Sequence, residues 1–252
     1  MSKLTIPGAP APVEAVLFDK DGTLLDFTYL WGHWTEVVLT CFQEELARQG
    51  RMLTAEALPA IWGTEHDEQG RVIGYDARGP LAMGSMGEVE AVLTWHGYRA
   101  GVSWAEAKLM VSQSLNHAEL ELERTRPVRL MPGAHEFLEH CRRARIPMGV
   151  VTADETRQAE RHLSWLGIEE YFEVIISNDQ VERGKPFPDM VLLACERMKV
   201  AAERALVIGD TDGDMKMGIQ AGVLWKVGIG EPERLSLADA SIHSFIELME
   251  GD

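Results

Sequence analysis

The stretch Val16-Leu17-Phe18-Asp19-Lys20-Asp21-Gly22-Thr23 constrains the fold more than any other part of the chain. A four-residue apolar run, Ala15–Phe18, stops abruptly at a turn signal, which is the pattern of a short buried strand. Two carboxylates one residue apart then follow, and such a pair repels itself and resists burial. A fold that accepts it must offset that cost.

Further apolar runs of the same kind occur at Met148–Val151, after Pro147, and at 172–176, 205–208 and 224–227. Helical spacing lies between them. Over 132–144, Ala134, Phe137, Leu138 and Cys141 share one face, and over 155–166 so do Ala159, His162, Leu163 and Leu166. Asp189 is positioned to cap a helix running through Met198. Strands alternating with helices of this length predict an α/β fold, a Rossmann-like three-layer core with a parallel sheet.

Residues 27–126 break the alternation. Leu30, Trp34, Val37, Val38, Cys41 and Phe42 recur at helical spacing. Ser85-Met86-Gly87-Glu88 and Ser103-Trp104-Ala105-Glu106 are both capping boxes. This part reads as an inserted all-α domain, leaving residues 1–26 and 127–252 for the core. Trp31, Trp34, Trp62, Trp95 and Trp104 are expected to pack its interior. His33, His66, His96 and His117 lack tight ligand spacing, and Arg78 reads as a surface residue.

The bulk numbers bound the function. A chain of 252 residues with net charge −16 offers no basic stripe for counterion release, so nucleic acid is excluded as a partner. Cys41, Cys141 and Cys195 are widely spaced, without the pairing expected of a disulfide framework. No apolar run has the length of a membrane span, and no secretory leader is evident, so the expectation is a cytoplasmic protein with no membrane partner.

Reactive residues fall at the ends of the expected strands. Asp19 and Asp21 follow the first, Thr152 the second, and Asp210 with Asp214 the fourth, while Lys185 lies in Arg183-Gly184-Lys185-Pro186 after the third. Ligands of open α/β sheets bind outside the carboxyl ends of the strands, so these residues are expected on one rim. Singly each has an ordinary structural reading, as turn, helix cap or solvated lysine. Lys20 reads as structural or surface, and Asp212 as a possible turn cap.

The ordered set resembles the haloacid dehalogenase superfamily, in its phosphatase branch with an inserted helical cap, similar to phosphoglycolate phosphatase. The D-x-D-G-T motif matches Asp19 to Thr23, the second-strand hydroxyl Thr152, the Lys-Pro lysine Lys185, and G-D-x-x-x-D the segment from Gly209 to Asp214. Four motifs in order are specific where each alone is weak. The position after the hydroxyl, often Asn in that family, is Ala153 here.

The resemblance implies Mg²⁺-dependent hydrolysis of a small phosphorylated metabolite through an aspartyl-phosphate. Asp19 is then the nucleophile, and Asp21 the acid that protonates the leaving alcohol and afterwards activates water. Thr152 and Lys185 bind the phosphoryl oxygens. Asp19, the Asp21 carbonyl and Asp210 ligate the metal, with Asp214 supporting from outside or through water. A phosphosugar mutase using the same chemistry, and a catalytically silent binding homologue, are the alternatives. A 2-haloacid dehalogenase is disfavoured because that branch lacks an acid at the position of Asp21. Cation-pumping ATPases need membrane spans that this sequence does not supply.

Overall fold

Described at residues 2–53 and 61–249, the computed structural model divides into two compact units, Met1–Asp26 with Val128–Asp252, and Phe27–Pro127. The first is built on a six-stranded parallel sheet. Its strands are β1 (Ala15–Phe18), β4 (Met148–Val151), β5 (Val174–Ile176), β6 (Ala205–Gly209), β7 (Trp225–Ile229) and β8 (Ala240–Ile242), in the order β5-β4-β1-β6-β7-β8.

Alternation along each strand separates two cores. Val16 and Phe18 of β1, Met148 and Val150 of β4, and Leu206 and Ile208 of β6 enter one hydrophobic layer. Ala15, Leu17, Val151, Ala205 and Val207 enter the layer on the opposite face. Burial on both faces is why these strands read as continuous apolar runs. The first layer is covered by α4 (Ala134–Arg143) and α5 (Thr156–Leu166), the second by α6 (Asp189–Met198) and α7 (Asp212–Ala221). The result is the three-layer α/β core expected from the sequence.

The chain visits β4 and β5 on one side of β1, then returns to build β6, β7 and β8 on the other. β1 is therefore the point at which the strand order reverses. Phe18 pairs with Val150 on one flank and Ile208 on the other, so three strand ends lie side by side.

Two boundary details depart from expectation. Asp189 lies inside the first turn of α6 rather than capping it, because the Arg183 guanidinium takes both its carboxylate oxygens at 3.1 and 3.0 Å. The start of α5 is held from outside by Asp179, whose Oδ1 accepts the Thr156 N–H and hydroxyl at 3.0 and 2.9 Å.

The inserted unit contains α1 (His33–Arg48), entered through a π-helical turn at Thr28–Gly32, then α2 (Met86–Arg99) and α3 (Trp104–Thr125). Both expected capping boxes close on their helices. Trp34, Val38, Phe42 and Leu46 form the buried stripe of α1, which packs against α3. The reading of the insert as all-helical needs one correction. Thr64–His66 (β2) and Val72–Tyr75 (β3) form an antiparallel hairpin. Its turn is closed by Asp67, whose Oδ1 accepts the N–H groups of Gln69 and Arg71, both at 2.9 Å.

The tryptophans divide. Trp31, Trp34 and Trp62 are buried, with Trp34 and Trp62 rings 5.3 Å apart. Trp95 and Trp104 are instead about half exposed, flanking Tyr98 at 5.6 and 6.4 Å. The expectation that they pack the interior is corrected: Val89, Leu93 and Gly97 supply the buried face of α2. Arg78 is exposed beside Asp76. The three cysteines are free thiols, and among the described residues no helix is long and apolar enough to cross a membrane.

Phe137 fixes α4 to the sheet, meeting Phe18 edge-on at 6.1 Å and stacking on Phe245 at 5.6 Å. Phe137→Ala is expected to lower stability by about 3–5 kcal/mol, the usual range for a buried phenylalanine. Urea unfolding followed by far-UV circular dichroism checks this. A loss under about 1 kcal/mol would mean that the ring is not a core anchor.

Candidate active site

The Asp19 N–H donates to the Ile208 carbonyl at 2.8 Å, and the Thr152 N–H to the Ile176 carbonyl at 3.0 Å. Strand pairing therefore continues into the first reactive residues. The main chain turns at once after Asp21: the Leu24 and Leu25 N–H groups both donate to the Lys20 carbonyl. Gly22, at φ +77°, makes this turn possible, and a Cβ there would lie 2.2 Å from Asp210 Oδ2. Only glycine lets the first strand end approach the Asp210 carboxylate this closely. The Thr23 hydroxyl donates to Asp210 Oδ1 at 3.4 Å, and the Thr152 hydroxyl accepts the Asp154 N–H at 3.2 Å.

Lys185 joins two of the acids. Its Nζ lies 2.5 Å from Asp19 Oδ1 and 2.6 Å from Asp214 Oδ1. Asp214 is buried, and its other oxygen closes the capping box of α7, accepting from the Thr211 N–H at 3.1 Å and hydroxyl at 2.6 Å. Asp214 thus anchors Lys185 to a helix N-terminus. Asp212, next to it in the first turn, accepts a hydrogen bond from the Ser236 hydroxyl at 3.2 Å.

The charge balance is uneven. Carboxylate oxygens of Asp19, Asp210 and Asp214 lie within 4.8 Å of one another, with one ammonium group among them. Burial pushes the Asp19 carboxyl up to about 7; Lys185 opposes the rise, while Asp214 and Asp21 add to it. Burial likewise drives Asp210 well above the ordinary carboxylate range, with Asp19 and Asp214 adding to it. Burial works against the charge on Lys185, yet Asp19 and Asp214 hold its pKa above the ordinary lysine value. An excess of hard oxygen donors over positive charge suits a small divalent cation.

A second lysine lies beside this group. Lys20 is not a surface residue: its side chain is wholly buried, with Nζ 2.5 Å from Asp21 Oδ2, 3.1 Å from Asp154 Oδ2 and 3.1 Å from His162 Nδ1. Burial alone disfavours its charge, but Asp154 and Asp21 outweigh that and raise its pKa. Burial carries Asp154 up to about 6 although Lys20 opposes it. His162 is pushed down to about 3 by burial and then by Lys20, so its ring is neutral and can accept. Sequence reasoning singled out Asp21 but missed this setting. His162 shows only as one more position on the inner face of α5, and Asp154 only as the second residue after Thr152.

The chain matches the family model described as "Hydrolase: haloacid dehalogenase-like hydrolase" over residues 13–222. It is 27% identical over 211 residues to a phosphorylated carbohydrates phosphatase of Thermotoga maritima, covering 84% of this chain and 82% of that protein. It is 25% identical over 241 residues to hexitol phosphatase A of Escherichia coli strain K12, covering 93% of each. The crystal structure of a beta-phosphoglucomutase from Clostridium difficile superposes with a TM-score of 0.59 at 18% identity, over 94% of this chain and 93% of that one, a likeness of fold alone.

The neutral state of His162 gives a pH prediction. Its folded pKa of about 3 against an ordinary 6.5 means that the unfolded chain takes up a proton that the folded ring refuses. The residue therefore subtracts stability as pH falls through that window and subtracts nothing above it. In NMR titration the His162 ring nitrogens are expected to keep the chemical shifts of a neutral imidazole from pH 8 down to about 5, apart from small displacements as Asp154 titrates. A midpoint near 6.5 would show that Lys20 and burial do not control the ring.

Proposed function

The chain belongs to the haloacid dehalogenase-like hydrolases, and on that premise we propose that it is a Mg²⁺-dependent phosphatase that hydrolyses a small phosphate monoester through an aspartyl-phosphate. The observation that carries this reading is the Lys185 bridge between Asp19 and Asp214. It ties a carboxylate at the end of β1 to the motif that follows β6, and it fixes Asp19 by one oxygen. The names of the two phosphatase relatives favour a phosphorylated carbohydrate or a similar small metabolite.

In this reading Asp19 attacks phosphorus, and the ester oxygen leaves with a proton supplied by the Asp21 carboxyl. Water then attacks the aspartyl-phosphate, giving its proton to the Asp21 carboxylate, and inorganic phosphate leaves as Asp19 is restored. Lys185 and the Thr152 hydroxyl place positive charge and a donor against the phosphoryl oxygens. Asp19, the Asp21 backbone carbonyl and Asp210 would hold Mg²⁺, which would neutralise charge between two anionic reactants. Both oxygens of Asp214 are already engaged by Lys185 and Thr211, which supports an indirect role for it. We assign the chemistry to the core, residues 1–26 and 127–252, and read residues 27–126 as a cap domain.

Asp19→Asn is expected to lower phosphate release by on the order of 10³-fold or more. Removing divalent cations with EDTA should abolish turnover, and added Mg²⁺ should restore it. Phosphate release across a panel of small esters measures both. Most of the activity surviving in Asp19→Asn would overturn the reading, and an isomerised phosphate ester as the main product would replace hydrolysis with a mutase reaction.

A further inference from the structure

We propose that Lys20 is a positioning residue for Asp21, holding the Asp21 carboxyl group in the orientation its proton transfers require. The inference rests on the reading that Asp21 handles the proton of the leaving group. It adds a residue to that site and gives a purpose to Lys20, the variable position of the first motif, and to Asp154 and His162, which lie outside the four motifs.

The geometry is that of a tether. An ammonium group has three N–H donors. Lys20 Nζ faces three acceptors within 3.1 Å, Asp21 Oδ2, Asp154 Oδ2 and His162 Nδ1. They come from three separate segments: the turn after β1, the loop after β4, and α5. Asp21 sits on a turn beside glycine, and its side chain is 17% exposed. His162 is wholly buried on the inner face of α5, and Asp154, in the loop after β4, meets the lysine from a third segment. Displacing Lys20 would remove the charged donor that faces Asp21 Oδ2.

Stability alone does not account for this arrangement. A buried ion pair commonly adds little beyond an apolar residue of the same volume, because desolvation offsets the attraction. Only replacement of the whole group by apolar residues would be neutral in that sense; removing Lys20 alone leaves the Asp21 and Asp154 carboxylates without their counter-charge. What the lysine adds is direction, since a charged donor fixes an oxygen where packing cannot. A misplacement of about 1 Å in a reacting group can lower a rate about 10²-fold.

The test uses leaving-group dependence. p-Nitrophenyl phosphate expels a good leaving group that needs little protonation, and phenyl phosphate expels a poor one that needs it. kcat/KM for both is measured at saturating Mg²⁺ in the wild type, Lys20→Met, Asp154→Asn and Asp21→Asn. Loss of folded enzyme lowers both values equally and leaves their ratio unchanged, so a merely structural role does not move it. Lys20→Met is expected to penalise phenyl phosphate about tenfold or more beyond p-nitrophenyl phosphate, within the span of general acid catalysis. Asp154→Asn should shift the ratio in the same direction by less. It keeps the cation, so it decides the matter if Lys20→Met does not fold. An unchanged ratio in these variants, with a changed one in Asp21→Asn, overturns the role of Lys20 and leaves the proposed reaction standing. An unchanged ratio in Asp21→Asn removes the acid itself, and this inference with it.

Discussion

Crowding of like charge at the carboxyl end of the sheet is the constraint on which the rest of this structure depends. Asp19, Asp21, Asp154, Asp210 and Asp214 gather around the ends of β1, β4 and β6, and each is buried or largely so. Left alone, such a group would hold protons or force the strands apart. Two lysines oppose this, each by clamping two acids, although burial still lifts the Asp19, Asp154 and Asp210 carboxyls. Lys185 joins Asp19 to Asp214, and Lys20 joins Asp21 to Asp154. In each clamp one acid belongs to the D-x-D pair, and the other is fixed to a more rigid part of the fold. Asp214 is locked by the capping box of α7, while Asp154 follows β4 and shares its lysine with His162 of α5. The two neighbouring carboxylates of the D-x-D pair are thereby given separate counter-charges on separate supports.

This arrangement is available because the sheet is parallel and reverses its strand order at β1. Parallel pairing brings the carboxyl ends of β4, β1 and β6 to one edge in register, so residues distant in sequence meet without a long loop. Gly22 completes the approach, since its missing side chain is what lets the Asp210 carboxylate lie against the turn.

The legible parts of the sequence are those whose signal is local. β1 and β4 have the residue bounds that their apolar runs suggested, and both capping boxes in the insert close as written. β8 was not anticipated, because Ala-Ser-Ile is short and partly exposed and resembles a loop. The hairpin of the insert pairs a polar strand, Thr64–His66, with the short run Val72–Tyr75, and its turn is held by Asp67 rather than by an apolar pattern. The sequence leaves Lys20 between a structural and a surface role, because alternation along a strand speaks to the direction of a side chain and not to its environment; the structure buries it. Its partners Asp154 and His162 lie far along the chain, and nothing in either segment names it. Four ordered motifs can be read by inspection, whereas a clamp built from three segments exists only once the strands are paired.

The same bookkeeping of charge separates the roles of the five acids. The two clamps each engage a pair, which leaves Asp210. Among the described residues no ion pair reaches its carboxylate; the Thr23 hydroxyl at 3.4 Å is its side-chain donor. Burial, Asp19 and Asp214 press its pKa upward, while Lys185 and a backbone hydrogen bond oppose the rise. A neutral hydroxyl compensates a buried carboxylate poorly, so Asp210 is the acid of the five that no lysine clamps directly. Asp214, held at both oxygens by protein donors, has the opposite character. If a divalent cation balances this site, the argument from charge places Asp210 against it together with Asp19, and places Asp214 behind Lys185. The difference between two aspartates four residues apart then follows from which of them the fold has already neutralised.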